Sequence, residues 1–457
     1  MKIMTGLELA EACRGQIVQG NPELPISGFQ IDSRQVREGD FFVPLKGEHA
    51  DGHQYIPHAL ERGACGTFFA GPELPPLPGH ALVIRVDDVL EALQRAAAAH
   101  RSRFDLPVIG VTGSSGKTTA KDFIAGVLSS RMEVLKTTGN LNNEIGLPLT
   151  LLALQERHQA AVLEMGMSAP GEITALARIA RPAIGVITNI GEAHMELLGS
   201  REAIARAKGE LLEQMGAAGT AVLNGDDARL LEMGKRFPGK VYYYGFGRGD
   251  IKCLELSQQG ERNFFRVRFP DNQEEDFELP LPGRHLVSNA LAALAVGYIF
   301  RLTPAQMRDG LGRSEITGGR LQIKEAPGGF KVIDDSYNAN PSSVKAALEV
   351  LRELGGANGI AVLGDMLELG PLEKEAHAEV GRYAAGCGIA ALVTVGKRAR
   401  EAAAAAREAG LKAYACAGHA EALAILQTMP LNEGWYVLIK GSRGARMEKL
   451  VEALMRE

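Results

Sequence analysis

The sequence predicts an α/β protein in three parts: a small mixed α/β region, then a central unit and a C-terminal unit, each on a mainly parallel sheet. Three observations predict this. A chain of 457 residues has room for roughly three domains. From residue 107 onward, short Val/Ile/Leu-rich runs alternate with helical stretches, the pattern of buried parallel strands joined by crossover helices. The alternation then starts afresh near residue 320.

The elements follow in order. In the first hundred residues "GDFFVPLKG" and "GACGTFFA" read as strands. "ELPPLPG", residues 73–79, reads as a surface loop, because successive prolines cannot donate to a ladder. "DVLEALQRAAAAHRSRF" is a helix that leads to Pro107. The strands "PVIGVTG", "AAVLEMG", "AIGVITNIG" and "GTAVLNGDD" come next, with a helix from about Thr118 and another at "GEITALARIA". A polar, β-like stretch at 241–281 reads as an insertion. The second series, "FKVIDDSYNANP", "GIAVLGDM", "AALVTVG" and "WYVLIKGS", alternates with helices such as "KRAREAAAAAREAG" and predicts a separate doubly wound domain.

Composition excludes several classes. A formal net charge of −5, with no basic block, argues against nucleic acid as a partner. Five dispersed cysteines with no C-x-x-C suggest neither a zinc knuckle nor a disulfide framework, and so a reducing compartment. Glu8 and Glu11 interrupt the only N-terminal segment that could serve as a secretory signal. The longest apolar run, residues 286–300, contains Ser288 and Asn289 and is too short to span a bilayer. A cytoplasmic enzyme, without a membrane partner, is expected.

The chemistry is concentrated in "LPVIGVTGSSGKTTAKDF". A strand ends in a Gly/Ser turn that opens a helix, whose first N–H groups are unpaired and point at an anion. Gly113 and Gly116 let the backbone approach a phosphate, with Ser114 and Ser115 between them. Lys117 supplies a charge for the outer phosphates. The hydroxyl of Thr118, followed by Thr119, suits magnesium, which prefers hard oxygen ligands. The spacing is not that of the usual phosphate loop, since Val111 stands where the first Gly belongs. Glu164 ends a neighbouring strand, where a carboxylate can hold a metal or simply be solvated. His194 follows a strand in the same topological position. Lys208 lies in "EAIARAKGELLEQM" and on spacing alone reads as a solvated helical lysine. Asn142 and Asn143 in "TTGNLNNEIGLP" could bind a polar ligand or close an Asx turn.

Together "GSSGKTT", "TTGNLNNEIG", "LEMG", the His194 loop, "RAKGE", "DDSYNANP" and "LGDMLELG" resemble the Mur ligases of peptidoglycan synthesis, over essentially the whole chain. The short phosphate loop looks like that family's own form. The resemblance implies a UDP-substrate-binding domain at 1–103, a central ATP-binding domain at 104–312 and a Rossmann-like domain at 313–457. It implies ATP and Mg²⁺ as cofactors and amide formation through an acyl phosphate. "DSYNANP" and "GDMLELG" favour the branch whose substrates are UDP-N-acetylmuramoyl-tripeptide and D-alanyl-D-alanine. A monomer is expected.

Residue by residue, the resemblance gives Lys117 and Thr118 to ATP and the first Mg²⁺, with Glu164 as a further metal ligand. It gives His194 to a second Mg²⁺, with Lys208 as a carbamate. Asn289 is similar to an adenine contact, although Leu286 stands where many members have Asn. Arg320, Asp335 and Asn338 fall in the inter-domain ATP region, Asp335 towards the ribose. Ser33, Arg34 and Lys46 resemble uridine-diphosphate contacts, and Asn142 and Asn143 contacts to the sugar-peptide. Two rivals remain at this point. A folylpolyglutamate synthase would lack the "DSR" segment and the long region before the phosphate loop. A nucleotide-binding protein without ligase activity would not need Lys208, His194 and "DSYNANP".

Overall fold

A computed structural model describes residues 3–47, 50–192 and 195–456. His194 lies outside the described residues. The first part is a five-stranded sheet in which Gly28–Gln30, Asp40–Phe42, Gly66–Phe69 and Leu82–Arg85 run parallel. Gln16–Gln19 closes it antiparallel to Leu82–Arg85. The helix Val89–Arg101, capped by the Asp88 carboxylate on the Glu91 N–H, carries the chain out of this sheet.

The central sheet has nine strands. Val108–Thr112 lies inside it, parallel to Ile184–Ile187 on one side and Ala160–Glu164 on the other. Every residue of these three strands is buried, which explains their unbroken apolar character. The chain leaves Val108–Thr112 towards Val134–Lys136 and Ala160–Glu164, then crosses back to Ile184–Ile187 and Thr220–Asn224. The order reverses beside Val108–Thr112, and such a reversal opens a crevice at the carboxyl ends of the strands. The phosphate loop sits there.

The stretch at 241–281 is not an insertion. Its strands Lys240–Gly245, Ile251–Gln259, Arg262–Arg268 and Glu274–Leu279 continue the central sheet, the last two antiparallel. They look polar because one face is solvated, as in the alternating exposure of Arg262–Arg268. The apolar run at 286–300 becomes the helix Arg284–Ile299, which packs against the phosphate-loop helix Lys117–Ser129. No helix among the described residues is long and apolar enough to cross a membrane.

The C-terminal sheet has six strands. Lys331–Asp335, Tyr436–Lys440, Gly359–Gly364, Ala391–Val395 and Ala413–Cys416 are parallel, and Gln322–Glu325 is an antiparallel edge. The chain is thus a three-domain α/β protein, and the carboxyl ends of Lys331–Asp335 and Tyr436–Lys440 reach a cleft shared with the central sheet.

Candidate active site

Residues of the central and C-terminal domains line one cavity of about 690 Å³. The central domain supplies Ser114 to Thr119, Asn142, Asn143, Glu164 and Asn289, and the C-terminal domain supplies Arg320, Asp335, Asn338 and Lys440. The structure therefore gathers the expected nucleotide residues from both domains.

The loop is built for close approach. Gly113 has φ +149 and a Cβ there would stand 1.9 Å from Thr188 Oγ1. Gly116 has φ +77, and its Cβ would stand 2.6 Å from Asn289 Oδ1. Only glycine meets both the backbone and the space requirement. Ser114 accepts from the Gly191 N–H at 2.8 Å. The Ser115 N–H donates to Asn189 Oδ1 at 3.0 Å, and Thr188 Oγ1 donates to the Ser115 carbonyl at 2.6 Å. Thr188 and Asn189 thus hold the loop rigid. The sequence reading passed over them, although they directly follow the buried strand Ile184–Ile187, at the same edge of the sheet where Glu164 ends another.

Lys117 is half-buried and donates to the Gly113 carbonyl at 2.8 Å. Burial pushes its pKa down; Glu164 opposes this and Arg320 adds to it. Thr118, buried, donates to Glu164 Oε2 at 2.7 Å, while Asn142 Nδ2 donates to Oε1 at 2.8 Å. Asn142 therefore orients a site carboxylate. Asn143 lines the same cavity but also closes a turn, accepting from the Gly146 N–H at 2.9 Å.

Across the cleft, Lys440 forms a buried ion pair with Asp335 and donates to the Asn338 carbonyl at 2.9 Å. Burial raises the Asp335 pKa, and Lys440 and then Arg320 pull it back. The Arg320 guanidinium lies over the Tyr337 ring, 4.3 Å from its centroid. Its Nε is buried with no hydrogen-bond partner among the described residues. Arg320 lines the same cavity as the phosphate loop, and a guanidinium there suits an anionic ligand. The strand-end position of Lys440 in "WYVLIKGS" was the sequence signal for it, since ligands gather where parallel strands end. His285 also lines the cavity, and burial, helped by Lys440, pushes its pKa down to about 4.

Lys208 is not solvated. It is 1% exposed, and burial first, then the Lys117 charge, pushes its pKa well below that of a free lysine. The sequence held the signal. Ile204, Leu211 and Leu212, all buried, stand four before, three after and four after Lys208, which puts the lysine on the apolar face of its helix.

The uridine candidates lie elsewhere. Ser33 is buried and hydrogen-bonds His58 Nδ1 at 2.9 Å. The Arg34 side chain is 82% exposed and paired with Asp32 in a turn. Lys46 pairs in a backbone bridge with Asp51. None of the three lines the cleft cavity.

A magnesium ion fits the donors present. Thr118 and Glu164 offer hard oxygens beside the phosphate loop. The described residues hold no cluster of three or more His, Cys, Asp or Glu that would cage a metal. That is the donor set of an ion bound by one carboxylate, waters and substrate phosphates.

A phosphate loop facing a second doubly wound domain across a polar cleft is the arrangement of a nucleotide-dependent enzyme that works between two domains. Residues 25–101 match the Mur ligase family catalytic domain, 111–297 the Mur ligase middle domain and 319–443 the Mur ligase glutamate ligase domain. The chain is 40% identical to the UDP-N-acetylmuramoyl-tripeptide–D-alanyl-D-alanine ligase of Bacillus subtilis, over 98% of this chain and 97% of that protein. It superimposes on MurF of Acinetobacter baumannii with a TM-score of 0.89, at 33% identity and 99% coverage of both chains. With the MurF ligase of Thermotoga maritima in complex with ADP the TM-score is 0.82, at 29% identity, covering 94% of this chain and 97% of that one. The chain belongs to the Mur ligase family.

Proposed function

We infer that this protein is an ATP-dependent ligase that joins D-alanyl-D-alanine to UDP-N-acetylmuramoyl-tripeptide through an acyl phosphate, a step of peptidoglycan precursor synthesis. The observation that carries this reading is the cleft in which Lys117, Thr118 and Glu164 face Arg320, Asp335 and Lys440.

A free carboxylate is a poor electrophile, so the tripeptide's terminal carboxylate must first be phosphorylated. Amine attack on the acyl phosphate then forms the amide and releases phosphate. The chain's residues contribute position and charge. The loop N–H groups and Lys117 hold the transferring phosphate, and Arg320 approaches it from the other domain. Asp335, held by Lys440, is assigned to accept from the ribose, with Asn338 assigned beside it. Asn289 is assigned to the adenine. Thr118 and Glu164 would hold Mg²⁺, with His194 and a carbamylated Lys208 holding a second ion; bound magnesium would neutralise phosphate charge. The neutral amine that burial favours at Lys208 is the form that CO₂ requires.

Ser33, Arg34 and Lys46 are assigned to the uridine nucleotide, and Asn142 and Asn143 to the sugar-peptide end near the cleft. We place the domain boundaries at 103/104 and 312/313, the enzyme in the cytoplasm, and its working form as a monomer. The test is ADP release by the purified chain with Mg²⁺-ATP. Turnover should require both UDP-N-acetylmuramoyl-tripeptide and D-alanyl-D-alanine. Turnover with a folate and glutamate instead, or ATP hydrolysis indifferent to both substrates, would overturn the reading.

A further inference from the structure

The helix that begins at Lys117 carries a second charged feature below the phosphate loop. Asp122 is 1% exposed, yet its carboxylate is fully engaged. Oδ1 pairs with Lys121 at 3.2 Å and Lys136 at 3.1 Å. Oδ2 accepts from the backbone N–H and the hydroxyl of Thr317, each at 2.9 Å. A buried carboxylate is costly unless its lone pairs are used, and here two cations and two donors use them. Thr317 is 195 residues away, in the segment that joins the central sheet to the C-terminal one.

The neighbouring linker residues lean on the same part of the molecule. Ser314 Oγ packs where Gly126, on that helix, has no side chain; a Cβ there would be 2.1 Å away. Lys136 reaches the Glu315 carbonyl at 3.5 Å. Residues 314–317, although beyond the 312/313 boundary, are thus attached to the central domain.

Beyond Thr317 the attachments change sides. The Gly319 carbonyl accepts from the Tyr337 N–H at 3.1 Å. Gln322–Glu325 pairs with Lys331–Asp335. These residues are attached to the C-terminal domain. Between the two groups lies Gly318, exposed, whose side-chain direction meets nothing nearer than Gln322 Oε1 at 3.8 Å. Gly319 follows at φ +71, and Arg320 comes next.

We propose that Asp122 is a positioning residue: it staples the near end of the linker to the phosphate-loop helix, so that the C-terminal domain turns about Gly318 and brings Arg320 back to one place opposite Lys117. The proposal rests on the cleft being the ATP site. Chain geometry gives the reason. From Thr317, Arg320 can be at most about 11 Å away, whereas a pivot at Arg313 would let it wander to about 25 Å. The staple removes most of that search, which is what orientation at a reacting centre requires.

Two variants of the full chain test this, with wild type and Lys117→Met as references. Thr317→Val keeps the branched shape and the N–H but loses the hydroxyl; Thr317→Ser keeps the hydroxyl. ADP release should fall about tenfold in kcat for Thr317→Val, with a raised KM for ATP, and return to within about twofold of wild type for Thr317→Ser. Melting temperatures should stay within a few degrees, which separates positioning from stability. Amide exchange in the wild type gives a second reading that needs no variant: the Thr317 N–H should exchange far more slowly than that of Gly318. Wild-type kinetics in Thr317→Val, equal impairment of both variants, or equal exchange at Thr317 and Gly318 would each overturn the staple. If Lys117→Met is inactive while Thr317→Val is normal, the cleft stands and the staple falls. If Lys117→Met is fully active, the cleft assignment itself falls.

Discussion

Replacing Lys117 by methionine separates its charge from its shape. Methionine keeps an unbranched stem, and among the described residues the native ammonium donates one hydrogen bond, to the Gly113 carbonyl at 2.8 Å. Losing that bond costs ~1 kcal/mol, so the fold should survive. Burial pushes the Lys117 pKa down, but a phosphate beside it would hold the ammonium charged. A unit charge about 3 Å from a phosphate oxygen, at an effective dielectric of about 20, is worth ~5 kcal/mol before desolvation. A single preorganised donor typically yields ~3 to 4 kcal/mol net in the transition state. At ~1.4 kcal/mol per decade this is a loss of roughly a hundred- to a thousandfold in kcat. The assay is ADP release at saturating substrates, with a circular-dichroism melt to verify folding. A folded Lys117→Met enzyme within about tenfold of the wild-type kcat would refute the placement of Lys117 at the transferring phosphate.

Labelled bicarbonate should give a carbamate carbon signal in the wild type that Lys208→Ala lacks, and that variant should lose most activity; a fully active enzyme without the signal would end the carbamate assignment. Gly113→Ala puts a methyl 1.9 Å from Thr188 Oγ1 at φ +149, so it should cost ~1 to 3 kcal/mol and weaken nucleotide binding; an unchanged thermal melt and ATP affinity would show that the loop can move aside. His285 titrates near pH 4 when folded and near 6.5 when unfolded, so the folded state resists protonation. Its penalty is absent above pH 6.5 and grows as the pH falls through that value towards 4, to at most ~3 kcal/mol. His285→Gln should therefore flatten the loss of stability between pH 6.5 and 4, measured by urea unfolding; an identical slope would show the imidazole is not held neutral.

Much of the site was legible in the sequence because its signals are local. The phosphate loop needs only a strand, two glycines, a lysine and a helix start, all within residues 108–129. The stretch at 241–281 was read as β-like but as an insertion, because half-solvated edge strands look separate from the sheet until their neighbours are known. On spacing alone Lys208 reads as solvated, because its charge outweighs its helical position among Ile204, Leu211 and Leu212.

By itself the sequence determined the α/β class, the two parallel-sheet series and the phosphate loop, since buried strands must be apolar and a tight anion-binding turn must be glycine-rich. Only the tertiary structure decided what covers each face and which distant groups meet. Lys440 finds Asp335 across 105 residues, Asp122 finds Thr317 across 195, and burial and then the Lys117 charge lower the pKa of Lys208 on another helix. Periodicity specifies which side of an element is buried, but the partner there is chosen by the packing of whole domains.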